Sequence, residues 1–506
     1  MAVARTLAVA LHGIDGALVE IEADLANGLP AFTIIGLPDA ALGEAKDRVR
    51  AAAANSGCDL PTRKVTVNLS PASMPKHGSG FDLGIAVAAL ATTGAIDAAA
   101  IARVVHVGEL SLDGRLRPVA GVLPAVLAAR RAGAGAVVVP SGNVDEARLV
   151  GGIRVIGGAS LREVLIAHGA ALDPVPVEAL TPAGITADAE AHGDLSDVIG
   201  HPEAVEALQV AAVGGHHLLM LGPPGAGKTL LATRLPGLLP DLDAEAAVEV
   251  SSVRSLAGLP VGGSLVTRPP LEAPHHSATM AALVGGGSGL VRPGAISRAS
   301  HGVLFLDEAP EFSAVALDAL RQPLETGQIT IHRARSVARF PARFQLVLAA
   351  NPCPCGLGGS DDCTCTSLMR RRYLGRLSGP LLDRIDLHLT VRRVGAVQLT
   401  EGSGSGVTTA LARARVEAAR EAAAQRWRAE GYALTAQLPG AVLRSARWRL
   451  PAADRSALDR ALERGALTMR GYDRVMRVAW TIADLEGADR PTADHLGRAL
   501  YLRKGI

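Results

Sequence analysis

Eight residues, Gly222-Pro223-Pro224-Gly225-Ala226-Gly227-Lys228-Thr229, directly after the apolar run His216–Leu221, leave this chain few folds to choose from. Such a loop functions only where a strand delivers it and a helix starts at its end. Its backbone N–H groups and the positive helix terminus then close around phosphate oxygens. In that pattern Lys228 neutralises the outer phosphates and Thr229 holds Mg²⁺. An α/β sheet that binds a nucleoside triphosphate is therefore expected.

Two further apolar runs end in polar groups suited to the same chemistry. Gly302–Leu306 delivers Asp307 and Glu308. Asp307 can reach the Mg²⁺ hydration shell, and Glu308 can polarise a water, so the pattern implies hydrolysis as well as binding. Phe344–Ala350 ends at Asn351, whose amide can orient that water. Near-continuous apolar runs suit parallel strands covered on both faces. Strand-Asp-Glu followed by strand-Asn resembles the Walker B and sensor 1 order of AAA+ ATPases. Within that resemblance, Arg384 in LSGPLLDRID stands where related motors carry the finger that reaches a neighbour's nucleotide. Arg470 in LTMRGYDR, or its neighbour Arg474, stands at a position that looks like sensor 2 of MCM and magnesium-chelatase ATPases. Either arginine would stabilise charge developing on the phosphoryl oxygens.

At 506 residues the chain exceeds a single ordinary core, so several domains are expected. The stretch from Ala170 to Gly193 is rich in Pro, Ala, Thr and acids without apolar period, which marks a linker. The organisation expected is an α/β domain at 1–171, a linker at 172–192, an AAA+ three-layer αβα core at 193–395 and a C-terminal helical lid at 396–506. Upstream, strand-like Val65–Leu69, Val104–Val107 and Ala136–Val139 alternate with helical Ala40–Ala54, Phe81–Leu90 and Pro124–Ala132. Gly402–Gly406 is a second flexible break, followed by helical stretches at Thr409–Glu430, Ala452–Arg464, Gly471–Leu485 and Thr492–Arg503. No segment has the roughly 20 uncharged apolar residues of a membrane helix, and the N-terminus lacks a secretory pattern, so a cytoplasmic protein with no membrane partner is expected.

The formal charge of +2 excludes a global field that steers the chain to polyanions, so any such contact is local. One local candidate is QITIHRARSVARFPAR, which reads as two short strands around a tip at Arg333–Ser336 presenting His332, Arg333, Arg335 and Arg339. A charged tip of this kind can contact nucleic-acid phosphates without reading sequence. Separately, Cys353, Cys355, Cys363 and Cys365 fall in a C-x-C-x7-C-x-C pattern among turn-forming Pro and Gly. Four thiolates so close favour a structural, tetrahedral Zn²⁺.

The strings LEAPHHSATMAALVGGG, RPGAISRASHGVLFLDE, NPCPCG, LSGPLLDRIDL and GLPDAALGEAKDRVRAA together resemble the YifB/ComM family of magnesium-chelatase-like ATPases over nearly the whole chain. That resemblance implies ATP and Mg²⁺ as ligands and a homohexameric ring that translocates on single-stranded or branched DNA. It further implies branch migration during recombination or natural transformation, beside recombination proteins. The hairpin before the sensor strand resembles the one that projects into the ring channel in the MCM and chelatase branch. A chelatase-type motor that remodels a partner protein is the alternative, and an unfoldase or protease a third. The N-terminal part, through PKHGSGFDLGIA and VGELSLDGRLRPVAG, resembles the Lon proteolytic domain. In that alignment Asp82 takes the nucleophile position and Gly121–Ala129 holds no Lys, so the seryl-lysine chemistry of a peptidase is missing and a scaffold is expected.

Overall fold

The computed structural model describes residues 3–36, 43–180, 193–287, 290–333, 337–358, 363–395 and 406–504. Among these residues the chain forms eighteen strands, β1 to β18 in chain order. The N-terminal part is built on β1 (Val3–His12), β2 (Asp15–Ala26), β3 (Ala31–Ile35), β4 (Lys64–Ser70), β5 (Val104–His106), β8 (Ala136–Pro140) and β9 (Arg154–Gly158), with a two-residue ribbon of β6 (Glu109–Leu110) and β7 (Leu116–Arg117) beside them. The seven strands form one mixed sheet in the order β3-β4-β2-β1-β5-β8-β9. The expected α/β class holds here, but β1 and β2 are a long antiparallel hairpin that the run of small residues Ala8 and Ala10 concealed. The helices Asp82–Ala91 and Val122–Arg131 cover the sheet and are almost entirely buried.

The central sheet comprises β10 (Leu218–Leu221), β11 (Leu271–Glu272), β14 (Val303–Leu306), β17 (Gln345–Ala350) and β18 (Leu387–Thr390), all parallel, in the order β11-β14-β17-β10-β18. Its strands bury both faces, as their composition requires. Leu218, Met220, Val303, Phe305, Val347 and Ala349 enter one core, which the C-terminal helices share. Leu219, Leu304, Leu306, Leu346, Leu348 and Ala350 enter the core on the other face. The first strand in the chain lies between the fourth and fifth, so the connections leave it on both sides and open a crevice at its carboxyl end.

The helices Thr409–Trp427, Ala452–Glu463, Met469–Leu485 and Ala493–Lys504 form the C-terminal region. Each was legible from apolar spacing to within a few residues. Trp427, Trp448 and Trp480 pack edge-on or tilted at centroid distances of 4.6 to 5.8 Å within its core. Two antiparallel ribbons project from the central part: β12 (Gly285–Gly286) with β13 (Arg292–Pro293), and β15 (Gln328–His332) with β16 (Val337–Pro341).

Candidate active site

The loop after β10 turns through Gly225 and Gly227 at φ +73° and +88°, a backbone that side-chain-bearing residues rarely adopt. Gly227 caps the helix Lys228–Leu238, so the N-terminus of that helix faces the loop. Lys228 Nζ donates to the carbonyls of Gly222 (2.7 Å) and Pro223 (3.0 Å) and to Asn351 Oδ1 (3.0 Å). Burial lowers the Lys228 pKa, and the Asp307 and Glu308 carboxylates oppose that shift. Thr229 Oγ1 donates to Asp307 Oδ2 at 2.7 Å. The carboxyl ends of three adjacent strands thus bring Lys228, Thr229, Asp307, Glu308 and Asn351 together, although up to 123 positions separate them in sequence. A Thr hydroxyl and a carboxylate already in contact are the oxygen donors that Mg²⁺ takes, so these residues fit that ion.

Glu308 sits at φ +49°, ψ +42°, in the left-handed region that a non-glycine residue occupies at a cost of order 1 kcal/mol or more. Such outliers collect where geometry serves chemistry, and here the Glu308 N–H donates to Asp307 Oδ1 at 2.9 Å. Glu308 Oε2 lies 3.2 Å from His276 Nδ1. His276 lies in the loop that follows β11, its ring centroid 4.0 Å from that of His275. The His201 ring approaches Gly227, and its Nε2 is buried without a hydrogen-bond partner among the described residues. Neither histidine was identifiable as a site residue from sequence. The only signals were the PHHS and GHPE strings, which nothing local connects to the phosphate loop.

Arg384, Arg470 and Arg474 lie elsewhere. They line a cavity of about 1080 Å³ with His217, Arg343 and Asp386. These lining residues stand at the amino ends of the central strands, the end opposite the phosphate loop. Arg474 ion-pairs with Asp386 and donates to the Arg384 carbonyl at 3.1 Å. Burial would raise the Asp386 pKa, but the Arg474 guanidinium and His216 hold it well below the usual carboxylate range. Arg384 pairs with Glu325. Arg470 is 76% exposed, with Asp383 3.7 Å away. Of the two residues considered for sensor 2, Arg474 is committed to a buried partner and Arg470 is presented to solvent.

The four cysteine sulfurs lie within 4.8 Å of one another. Cys353 Sγ is 3.3 Å from Cys355 Sγ and 3.8 Å from Cys363 Sγ, and Cys355 Sγ is 3.5 Å from Cys363 Sγ. Four sulfurs around zinc at about 2.3 Å stand about 3.8 Å apart, so the cluster fits a tetrahedral ion. Burial would raise the Cys353 pKa, but the Gly358 N–H and the neighbouring thiols bring it down to about 6, favouring the thiolate a metal needs. The cluster's loop packs against the phosphate loop, with Gly356 closed onto the Pro224 ring.

The ribbon expected between Gln328 and Phe344 is present, and His332 stands exposed at the end of β15. Arg333 donates to the Gly287 carbonyl beside the neighbouring ribbon. Arg339 is not at the tip. It is opposite Thr330 in the body of β16, on the exposed side of the strand's alternation, and its carbonyl accepts from the Ile14 N–H of the N-terminal part. Arg335 and the rest of the tip lie outside the described residues. Arg292 on β13 is also exposed and was not singled out from sequence.

In the N-terminal part, Asp82 is buried, and its two oxygens accept from Arg48 Nε (2.7 Å) and Nη2 (3.0 Å). Lys76 is also buried and donates to the carbonyls of Gly36 and Leu69 at 2.9 Å each and to that of Pro71. Asp82 is held in a structural ion pair.

The family model described as "Magnesium chelatase, subunit ChlI" matches residues 194–399, and models of the ChlI subunit and its C-terminal region match 21–143 and 406–503. Competence protein ComM of Haemophilus influenzae is 41% identical, over 99% of this chain and 98% of its own length. Protein YifB of Escherichia coli is 40% identical, over 97% and 95%. The magnesium-chelatase 38 kDa subunit of Cereibacter sphaeroides is 26% identical, over 60% and 87%. No helix among the described residues is long and apolar enough to cross a membrane. With a parallel five-stranded sheet, a phosphate loop at its switch point and near-full-length likeness to two relatives, the chain belongs to the YifB/ComM family of magnesium-chelatase-like AAA+ ATPases.

Proposed function

We propose that this ATPase is a ring motor, six copies in the likeness of its family, that translocates on single-stranded or branched DNA and drives branch migration. The observation that carries the ring is the separation of phosphate loop and arginines to opposite ends of one sheet. A pocket holding Lys228, Asp307, Glu308 and Asn351 needs positive charge for the transition state, and Arg384 and Arg470 can supply it only to the next copy. In this reading Gly222 to Thr229 hold the phosphates, with Thr229 and Asp307 holding Mg²⁺, which would polarise the phosphoryl oxygens. Glu308 takes the proton of the attacking water and Asn351 orients that water. The four cysteines hold a structural Zn²⁺ that stiffens the loop behind Pro224.

DNA as the polymer rests on the two adjacent ribbons, which expose His332, Arg339 and Arg292 and carry Arg333. Contacts of this type are electrostatic and salt-sensitive. Hydrolysis measured with single-stranded, duplex and four-way DNA should rise with at least one of them and lose that rise when Arg333 and Arg335 are changed to Ala. Absence of DNA binding at low salt would overturn the assignment. The likeness to chelatase subunits supports a second reading, remodelling of a partner protein. Co-purification of a large tetrapyrrole-binding protein, with hydrolysis indifferent to DNA, would select it.

A further inference from the structure

The ribbon β15–β16 is not hydrogen-bonded to the five-stranded sheet; it is a separate two-stranded sheet. Two strands alone are marginally stable in water, so something else must hold this ribbon in place. The outer edge of β16 is covered by the turn between β1 and β2. Gly13 bridges Arg339 in parallel fashion, and the Ile14 N–H donates to the Arg339 carbonyl at 3.3 Å. The approach is so close that a Cβ on Gly13 would stand 2.0 Å from the Arg339 oxygen and 2.7 Å from its nitrogen, and Gly13 has φ +71°. Those are backbone atoms, which no rotamer change can move aside.

Around this bridge Leu11 and Ile14 pack with Phe340, Ala338, Ile331 and Leu256 in one apolar cluster. Leu256 belongs to the helix Ala244–Ala257, which is itself docked on the N-terminal part. The Gly121 N–H donates to the Ser255 carbonyl at 3.1 Å, and Ser255 Oγ meets the Glu146 carboxylate. The N-terminal part therefore grips the core at that helix and at the ribbon together.

We propose that the N-terminal domain is the anchor that sets the position of the β15–β16 ribbon, with Gly13 and Ile14 as positioning residues. A Lon-like fold without peptidase chemistry then has a mechanical task. It adds a backbone bridge to the outer edge of β16, so that movement of the core reaches the polymer through a braced ribbon. Only the coupling to polymer rests on the function proposed above; the anchoring stands independently of it.

The test is Gly13→Val in the full-length chain, read by hydrogen exchange and by ATPase assay. Exchange in peptides spanning 11–16 and 328–341 is expected to rise about ten-fold, with 345–350 in the central sheet unchanged. Basal hydrolysis should stay within about two-fold of the parent while its stimulation by single-stranded DNA falls at least about five-fold. Folded Gly13→Val protein whose ribbon exchanges at the parental rate would overturn the anchor, and raised exchange with full stimulation would overturn the coupling. Should that variant not fold, Ile14→Ala keeps the turn glycine and is judged by the same two readouts with about a three-fold rise in exchange. If the parent itself shows no stimulation by DNA, the polymer assignment fails while the exchange result still decides the anchor.

Discussion

Two inactive variants mixed together should restore hydrolysis. Lys228→Ala removes the phosphate contact and Arg384→Ala removes the guanidinium at the far end of the sheet. His217 lines the arginine cavity and Gly222 begins the phosphate loop, so the length of β10 separates the two sites. At roughly 3.3 Å per residue that is about 16 Å, several times a hydrogen bond, and Arg384 cannot serve the pocket of its own chain. Loss of such a finger costs about 10³-fold or more in turnover, so each variant alone is expected to be silent. In rings assembled at random from equal amounts, about a quarter of head-to-tail interfaces join an intact pocket to an intact arginine. A coupled ATPase assay after subunit exchange should recover about that fraction of the parental rate. Rings shown by native mass spectrometry to be mixed, yet inactive at every ratio, would refute the division of the site between neighbours.

Glu308→Gln should bind ATP with parental affinity and lose turnover; hydrolysis at parental rates would require another base. His276→Ala frees Glu308 from a partly exposed contact worth about 1 kcal/mol at most, so basal hydrolysis should rise by no more than about five-fold, and a ten-fold fall would mean that His276 assists the base. Metal analysis should find about one zinc per chain, and Cys353→Ser retaining all of it would refute the site. Stability should also fall in acid. Burial presses His217 from 6.5 to about 4 and His106 from 6.5 to about 3. Between those values and 6.5 the unfolded chain binds protons that the native chain refuses, so stability is full above pH 6.5 and is lost as pH falls towards 4. Each residue costs on the order of 2 kcal/mol by pH 5, and an unfolding midpoint unchanged between pH 7.5 and pH 5 would contradict it.

The strand, glycine turn and helix around Lys228 and the strands that end at Asp307 and Asn351 were readable because they are short-range signals. The Gly225 and Gly227 turns, the apolar strands and the polar residue ending each strand are written within a few positions of one another. The C-terminal helices were readable from spacing for the same reason. β11 and β18 escaped because short strands at or near a sheet edge carry too few residues for a pattern. The β1–β2 hairpin escaped even though Val19, Ile21 and Ala23 alternate with polar neighbours, because small residues blur the contrast.

By itself, then, the chain of letters determined a strand, a glycine turn and a helix around Lys228 and an acidic pair, Asp307 and Glu308, closing a buried strand, since strand, turn and helix preferences act locally. Tertiary structure decided everything that depends on which distant segments meet. It placed His276 against Glu308, sent Arg384 and Arg470 to the far end of the sheet, and moved Arg339 from a presumed tip to a strand braced by Gly13. Those contacts join residues up to hundreds of positions apart, and their selection comes from packing both faces of one sheet and from leaving no backbone edge unsatisfied, constraints that exist only once the chain has closed on itself.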